Sequence, residues 1–284
     1  MNPRTHAIRV GLARGWTETK LSLRAPDDIA FYLLWGIGLL VFLYLNRHAE
    51  VEGTTLSFPT LAMPGVLAAM IVFGGVVGPS FQLVVEREDG TLLRAKAAPH
   101  GMTGYVTGQA LLQTLGVVPM TAILLIPSAF LFDGLMYRGW VGWLAVAGLV
   151  LLGLVVSLPI GMILGSLARK PGHVTTWGLL PVIGMAMISG IFAPLASMWG
   201  WVQGVAQALP LFWLGHGLRW AFLPEDAVVL EPGGQWRIVE ALGVLGLWAL
   251  LGLVVAPIVL RRMARRESGS AVQERMHERM QRLA

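Results

Sequence analysis

The chain of 284 residues contains no cysteine and little charge, since Lys, Arg, Asp and Glu make up only 13% of its residues. The absence of cysteine excludes disulfides and thiolate metal sites. Soluble domains carry about 25% charged residues, so this chain has too little charge to cover the surface of a composition that is 55% hydrophobic. Together with a mean hydropathy of +0.67, this composition indicates a membrane protein and disfavours both a disordered chain and a free cytosolic enzyme.

Catalytic and nucleotide-binding motifs are also absent. No carboxylate lies in the middle of an apolar run, which disfavours an ion-coupled carrier, because carriers of that kind usually need buried ion-binding groups. The sequence has neither an H-E-x-x-H metalloprotease helix nor a G-x-x-x-x-G-K-[ST] phosphate-binding loop. We therefore predict no catalytic residue and no metal site, and any nucleotide hydrolysis must belong to another chain.

Six apolar runs are long enough to cross a bilayer, which requires about 20 apolar residues in a helix. The predicted spans are residues 29–45, 61–85, 105–132, 141–168, 174–195 and 238–260, which together form an all-α transmembrane domain over residues 29–260. A further apolar stretch, Val202–Phe222, contains glutamine, histidine, arginine and proline. It is a poor span, and we predict re-entrant helices on the outer side between the fifth and sixth spans.

Both terminal segments are charged. In residues 1–28, Ile8, Leu12, Trp16 and Leu23 fall on one helical stripe, which predicts a helix lying in the membrane interface. Residues 261–284 are predicted to form a cytoplasmic tail. Seventeen of the 21 Lys and Arg residues lie in these two segments and in the loops at residues 86–104 and 169–173. The net charge of +5 therefore predicts cytoplasmic termini rather than a nucleic-acid surface.

The loop after the second span carries four consecutive charges, Glu86-Arg87-Glu88-Asp89. Gly90 permits a sharp change of direction, and Thr91 is a candidate N-cap for a short helix that runs through Ala98 and ends before Pro99. Charges alone would be enough to stop a span. A capped short helix beside them predicts a docking surface on the cytoplasmic face.

A second motif, I-S-G-I-F-A-P-L-A-S-M-W at residues 188–199, closes the fifth span, and Pro210 and Arg219 punctuate the segment that follows. Together with the E-R-E-D-G-T-L run and Pro99, it resembles the membrane (permease) subunits of type-2 ABC exporters. The most similar branch is the bacterial drug and polysaccharide export permeases of the daunorubicin-resistance type. The resemblance covers most of residues 5–262, and six spans with cytoplasmic termini fit it.

The resemblance implies an assembly rather than a single chain. It implies two copies of a separate ATP-binding-cassette ATPase subunit that holds ATP and magnesium, and a second permease chain, as a homodimer or a heterodimer, in lipid of the bacterial plasma (inner) membrane. This chain is then expected to bind no cofactor of its own and no nucleic acid. The implied ATPase-coupling residues are Glu86, Arg87, Glu88, Asp89, Gly90, Thr91, Leu92, Arg94, Arg169 and Lys170. The implied substrate pathway follows the second and fifth spans, through Phe73, Val77, Phe81, Met185, Ile188 and Phe192.

The function implied is ATP-driven export of a hydrophobic or amphipathic substrate, such as a drug, antibiotic, lipid or glycan. One alternative is a membrane scaffold or a lipid-acting membrane enzyme without an ATPase, which predicts that the chain purifies alone and that the 86–99 loop tolerates charge reversal. The other is an ion-coupled carrier, which predicts transport that follows an ion gradient without ATP.

Overall fold

The computed structural model describes residues 2–49, 56–132, 135–168, 170–191, 195–266, 268–270 and 273. These residues form helices joined by turns and contain no extended strand, so the predicted all-α membrane fold is confirmed. The helices are α1 (Pro3–Ser22), α2 (Pro26–Leu45), α3 (Phe58–Glu88), α4 (Thr91–Ala97), α5 (Gly101–Leu131), α6 (Gly139–Leu167), α7 (Pro171–Val174), α8 (Leu180–Ile188), α9 (Gly200–Ala208), α10 (Pro210–Phe222) and α11 (Ile238–Arg266).

Five of these helices, α2, α3, α5, α6 and α11, are long and apolar enough to cross a membrane. They coincide with the first four predicted spans and the sixth. Helix α3 continues to Glu88, so the first three residues of the charge cluster belong to its last turn rather than to a loop. The helix tolerates these charges because neighbouring helices supply partners for them.

The fifth predicted span, residues 174–195, is not one regular helix. A π-helical segment, Thr175–Leu179, separates α7 from α8, and α8 ends at Ile188 rather than at residue 195. The chain turns there because Gly190 adopts a left-handed conformation with φ of 79°, which glycine tolerates at a helix C-terminus. Residues 192–194 lie outside the described residues, and the crossing itself stays a prediction.

Helix α3 lies at the centre of the bundle and packs most closely on α6. Small residues let the two backbones approach, as in other membrane helix pairs. A Cβ added to Gly161 would lie 2.5 Å from the carbonyl oxygen of Val76. The hydroxyl of Ser80 donates to the carbonyl oxygen of Gly161 at 2.7 Å. This contact fixes α3 against α6 in the half of α3 that leads to Glu88.

Residues 200–222 form two short helices, α9 and α10, and Pro210 begins the second. That they re-enter the membrane on its outer side stays a prediction. Helix α10 is buried against α3, α6 and α11. Its His216 ring contacts Glu231 at 2.7 Å, and Arg219 pairs with the same buried carboxylate. Because buried charges need partners, this network holds the loop that leads into α11.

Helix α1 has two different faces. The predicted stripe of Ile8, Leu12, Trp16 and Leu23 is exposed. The opposite face packs on α5, and its buried residues recur every fourth position as Ala7, Gly11, Gly15 and Thr19. The apolar stripe was predicted and this small-residue face was not, although its regular spacing of four is a recognisable signal. That α1 lies in the membrane interface stays a prediction.

Candidate functional site

The first candidate site is the coupling segment, residues 86–98, where α3 ends and the chain turns into α4. The turn needs glycine, because Gly90 has φ of 75°. The expected N-cap is wrong: the carboxylate of Asp89, not the hydroxyl of Thr91, accepts the backbone N–H of Thr91 at 2.8 Å. The Thr91 hydroxyl instead accepts from Arg94 at 3.0 Å. Gly90 occupies the N-cap position and has no side chain to supply, so the carboxylate of Asp89, two residues before Thr91, accepts this free N–H at the start of α4.

The side chains of the coupling segment divide into an internal and an external set. Glu86 and Glu88 are buried, whereas Asp89 and Arg94 are exposed. In this chain the two glutamates are therefore internal groups, contrary to the expectation that the whole charge cluster forms the docking surface. Leu92, only 1% exposed, belongs to a buried cluster contributed by α3, α4, α5, α6 and α11. That cluster seats α4 on the bundle.

Glu86 connects the coupling segment to α1. A guanidinium nitrogen of Arg14 lies 2.7 Å from a carboxylate oxygen of Glu86. The same Arg14 pairs with Glu18 at 2.6 Å and lies over the ring of Tyr105 on α5, 5.5 Å from its centroid. Because the pair is largely shielded from water, it is less screened by salt than an exposed one. It links the N-terminal helix directly to the end of α3.

Arg87 connects the coupling segment to the end of α6. Its Nη1 donates to the carbonyl oxygens of Ala168 at 2.9 Å and of Ser166 at 3.3 Å. These are carbonyls at a helix C-terminus, which lack partners within the helix. These hydrogen bonds place the coupling segment near the turn after α6, which carries the last two predicted ATPase-coupling residues. Lys170 there is exposed, and Arg169 lies outside the described residues.

The second candidate site is an open groove of about 860 Å³, which we call the α3 groove. It lies between α2, α3, α5 and the end of α1, and three of the predicted pathway residues line it: Phe73, Val77 and Phe81. The structure does not bring Met185 and Ile188 to this groove; both are half-buried on α8. The sixth predicted pathway residue, Phe192, is not among the described residues.

The α3 groove has an apolar wall and an acidic end. Aromatic rings of α2 and α3 form much of the wall, and the rings of Trp35 and Phe73 lie 5.9 Å apart beside it. Glu18, Asp27 and Asp28 line one end, and no Lys or Arg occurs among the described lining residues. The surface suits a ligand with an apolar body and a polar or cationic group.

A chain of glutamine amides joins the α3 groove to the coupling segment. Gln82 and Gln113 line the groove, and the Gln82 side-chain oxygen accepts from Gln109 at 2.7 Å and from Gln113 at 3.4 Å. The Gln82 amide in turn donates to Glu86 at 3.4 Å. The sequence analysis considered only charged residues inside the spans and missed these amides, although glutamine in an apolar helix commonly marks a hydrogen bond between helices.

Neither site offers metal ligands, since no group of three His, Cys, Asp or Glu residues converges anywhere in the described part of the chain.

Comparison with known proteins gives the family. Residues 28–223 match the model of the ABC-2 type transporter family.

Two relatives match most of the chain. The daunorubicin resistance ABC transporter permease protein DrrB1 of Streptomyces coeruleorubidus is 27% identical over 213 residues, which are 73% of this chain and 73% of the relative. A protein of Porphyra purpurea named as a transport permease, ycf38, is 25% identical over 202 residues, or 68% of this chain and 66% of the relative.

Proposed function

The chain belongs to the ABC-2 type transporter family, and from this premise we propose that it is the transmembrane subunit of an exporter. As a family member it is a multi-pass membrane subunit of a transport complex and not itself an enzyme. In the proposal, a separate ATPase subunit, present in two copies, binds ATP and magnesium. A second permease chain completes the assembly, as a homodimer or a heterodimer.

The proposed topology places both termini on the cytoplasmic side of the bacterial inner membrane. The distribution of Lys and Arg supports it. The same topology puts the coupling segment and Lys170 together on the cytoplasmic face, where an ATPase subunit could reach both.

The observation that carries the proposal is the way α4 is held. Its outer face presents Arg94 and Lys96 to solvent. Its inner face is anchored through Leu92, and the α3 end that precedes it is tied to α1 through Arg14 and to α6 through Arg87. A displacement applied to the outer face of α4 therefore passes to several membrane helices at once. This is the arrangement expected of a contact that converts movement of an ATPase into movement of the bundle.

The proposed substrate is hydrophobic or amphipathic, and drugs, antibiotics, lipids and glycans remain candidate classes. The aromatic wall and acidic end of the α3 groove support the amphipathic class. The name of the relative from Streptomyces coeruleorubidus assigns that protein to daunorubicin resistance, which supports export of a small drug-like molecule. Met185, Ile188 and Phe192 are proposed to join the pathway where two permease chains meet.

The proposal is tested by purification from the native host and by charge reversal on α4. We expect a stoichiometric ATPase to copurify with the tagged chain. Reversing Arg94 and Lys96 to Glu should remove most substrate-stimulated ATP hydrolysis while leaving the thermal unfolding midpoint unchanged, because both side chains are exposed. Arg9→Glu, a reversal on the exposed face of α1, is the matched control.

The outcomes separate this proposal from the alternatives. Full ATP hydrolysis in the assembled complex of the double reversal variant refutes the coupling assignment. If the chain purifies alone and the reversals have no effect in cells, the result favours a membrane scaffold or a lipid-acting membrane enzyme. Transport that follows an ion gradient in vesicles without ATP favours an ion-coupled carrier.

A further inference from the structure

A second groove lies on another side of the bundle, between α5, α6 and α11. This α11 groove is open and holds about 400 Å³. Its walls are almost entirely apolar, and Val155 and Leu253, which are 41% and 56% exposed, mark its outer edge. The proposed function makes no use of it.

The α11 groove has the length of one leaflet. Along α11 its lining runs from Leu253 to Arg261, a separation of eight positions and so about 12 Å at 1.5 Å per residue. Half of a bilayer core is about 15 Å. The groove therefore matches the hydrocarbon depth of a single leaflet rather than that of the whole membrane.

The charge of the α11 groove lies at one end only. Arg261 is the only charged residue among its described lining residues, it is exposed, and it forms no ion pair with any described residue. Arg265, one turn further along the same face of α11, is also exposed. In the topology proposed above, this end of the groove is level with the cytoplasmic headgroups.

We propose that the α11 groove binds an anionic phospholipid of the cytoplasmic leaflet. An acyl chain occupies the apolar channel, and the headgroup phosphate pairs with Arg261. Basic pockets between membrane helices on the cytoplasmic side favour anionic headgroups. The exposed Arg261 guanidinium, which pairs with no described carboxylate, attracts an anionic headgroup, and the apolar walls require an acyl chain. Neither a soluble anion nor an uncharged lipid satisfies both parts.

The occupant of this groove also bears on the coupling segment. Met162 and Leu260 line the groove and belong to the buried cluster that seats Leu92. A bound acyl chain fills space on the outer side of these two side chains and so supports the seat of α4. Coupled ATP hydrolysis is therefore expected to rise when anionic lipid is present.

Lipid titration of the purified full chain tests the proposal. Phosphatidylglycerol and phosphatidylcholine with identical acyl chains are added in detergent, and bound lipid is counted by native mass spectrometry. Phosphatidylglycerol should bind more tightly, and glycerol phosphate should not compete with it. Arg261→Gln should weaken phosphatidylglycerol binding about fivefold, the factor typical of one basic side chain near an anionic surface. Val155→Trp, which fills the channel, should weaken it further.

Two matched controls and one labelling experiment keep the proposal falsifiable. Arg262→Gln and Leu251→Trp alter exposed residues that do not line the groove, and both should bind lipid normally. Equal affinity for the two lipids, or equal losses in Arg261→Gln and Arg262→Gln, overturns the proposal. Because the chain has no cysteine, Leu253→Cys gives a single thiol. Disulfide-linked dimers of that variant would show that a second copy covers the groove, which also overturns the proposal.

Discussion

Adding a single methyl group to the buried face of helix α1 should destabilise the protein. A Cβ built on Gly11 would lie 2.1 Å from the carbonyl oxygen of Gly104, whereas carbon and oxygen in such contacts lie about 3.3 Å apart or more. Gly11→Ala therefore forces α1 to move away from α5 by about 1 Å. The obstructing atom belongs to backbone, so no rotamer change can relieve the contact. Overpacking of this kind costs about 1–3 kcal/mol.

The matched control for this substitution is Gly38→Ala on α2, where an added Cβ meets nothing within 4 Å. At about 2–4 °C per kcal/mol, Gly11→Ala should lower the thermal unfolding midpoint by about 2–12 °C. The control should leave the midpoint unchanged or raise it slightly, because alanine favours helix. The measurement is a thermal ramp of both purified variants in one detergent, followed by intrinsic fluorescence. Equal midpoints for the two variants would refute the close packing of α1 on α5.

Two further predictions concern buried side chains. Leu92→Ala should cost about 2–5 kcal/mol of stability and uncouple ATP hydrolysis from transport. The control Leu93→Ala, at a half-buried site outside the cluster, should do neither. Equal effects in the two variants would argue against a role of Leu92 in seating α4. Burial raises the pKa of Glu231, but the charge of Arg219 and hydrogen bonds from His216 and Arg219 outweigh it and lower that pKa from 4.5 to about 2. The ionised carboxylate thus contributes about 3 kcal/mol to the free energy of unfolding. This contribution is present above pH 4.5 and is lost as the pH falls toward 2. The measurement is the stability of the unsubstituted chain and of Glu231→Gln as the pH is lowered. The variant should not show the loss of stability between pH 4.5 and 2.

Much of the fold could be predicted from the sequence, because the length and hydropathy of apolar runs identify membrane helices. The five regular spans coincide with apolar runs, and α10 begins at Pro210, where polar residues interrupt another such run. Helix ends were less predictable. Hydropathy alone ends α3 before its charged residues, yet the helix continues to Glu88 because Arg14 and the carbonyls after α6 are available as partners.

The site was predicted less completely than the fold, for a related reason. A run of charges in sequence looks like a surface, because nothing in the run itself reveals which members face inward. Glu86 is buried because α1, 72 residues away in sequence, brings Arg14 against it. The approach of α1 depends on Gly11 and Gly15 meeting the backbone of α5. The spacing of the small residues signals the packing face of α1, but nothing in the sequence around Glu86 signals that Arg14 will cover it.

The continuity of α3 gives the two candidate sites a mechanical connection. One helix carries the groove residues Phe73, Val77 and Phe81 and ends in the coupling segment. From Phe73 to Glu86 it spans 13 residues, or about 20 Å. Pro79 lies inside this stretch, and a proline there removes one backbone hydrogen bond and marks the place where a helix bends most readily. The groove residues Phe73 and Val77 precede this proline, and Phe81 follows it. We therefore expect a push on α4 to bend α3 at Pro79 and so to alter the width of the groove, because its wall has residues on both sides of the bend.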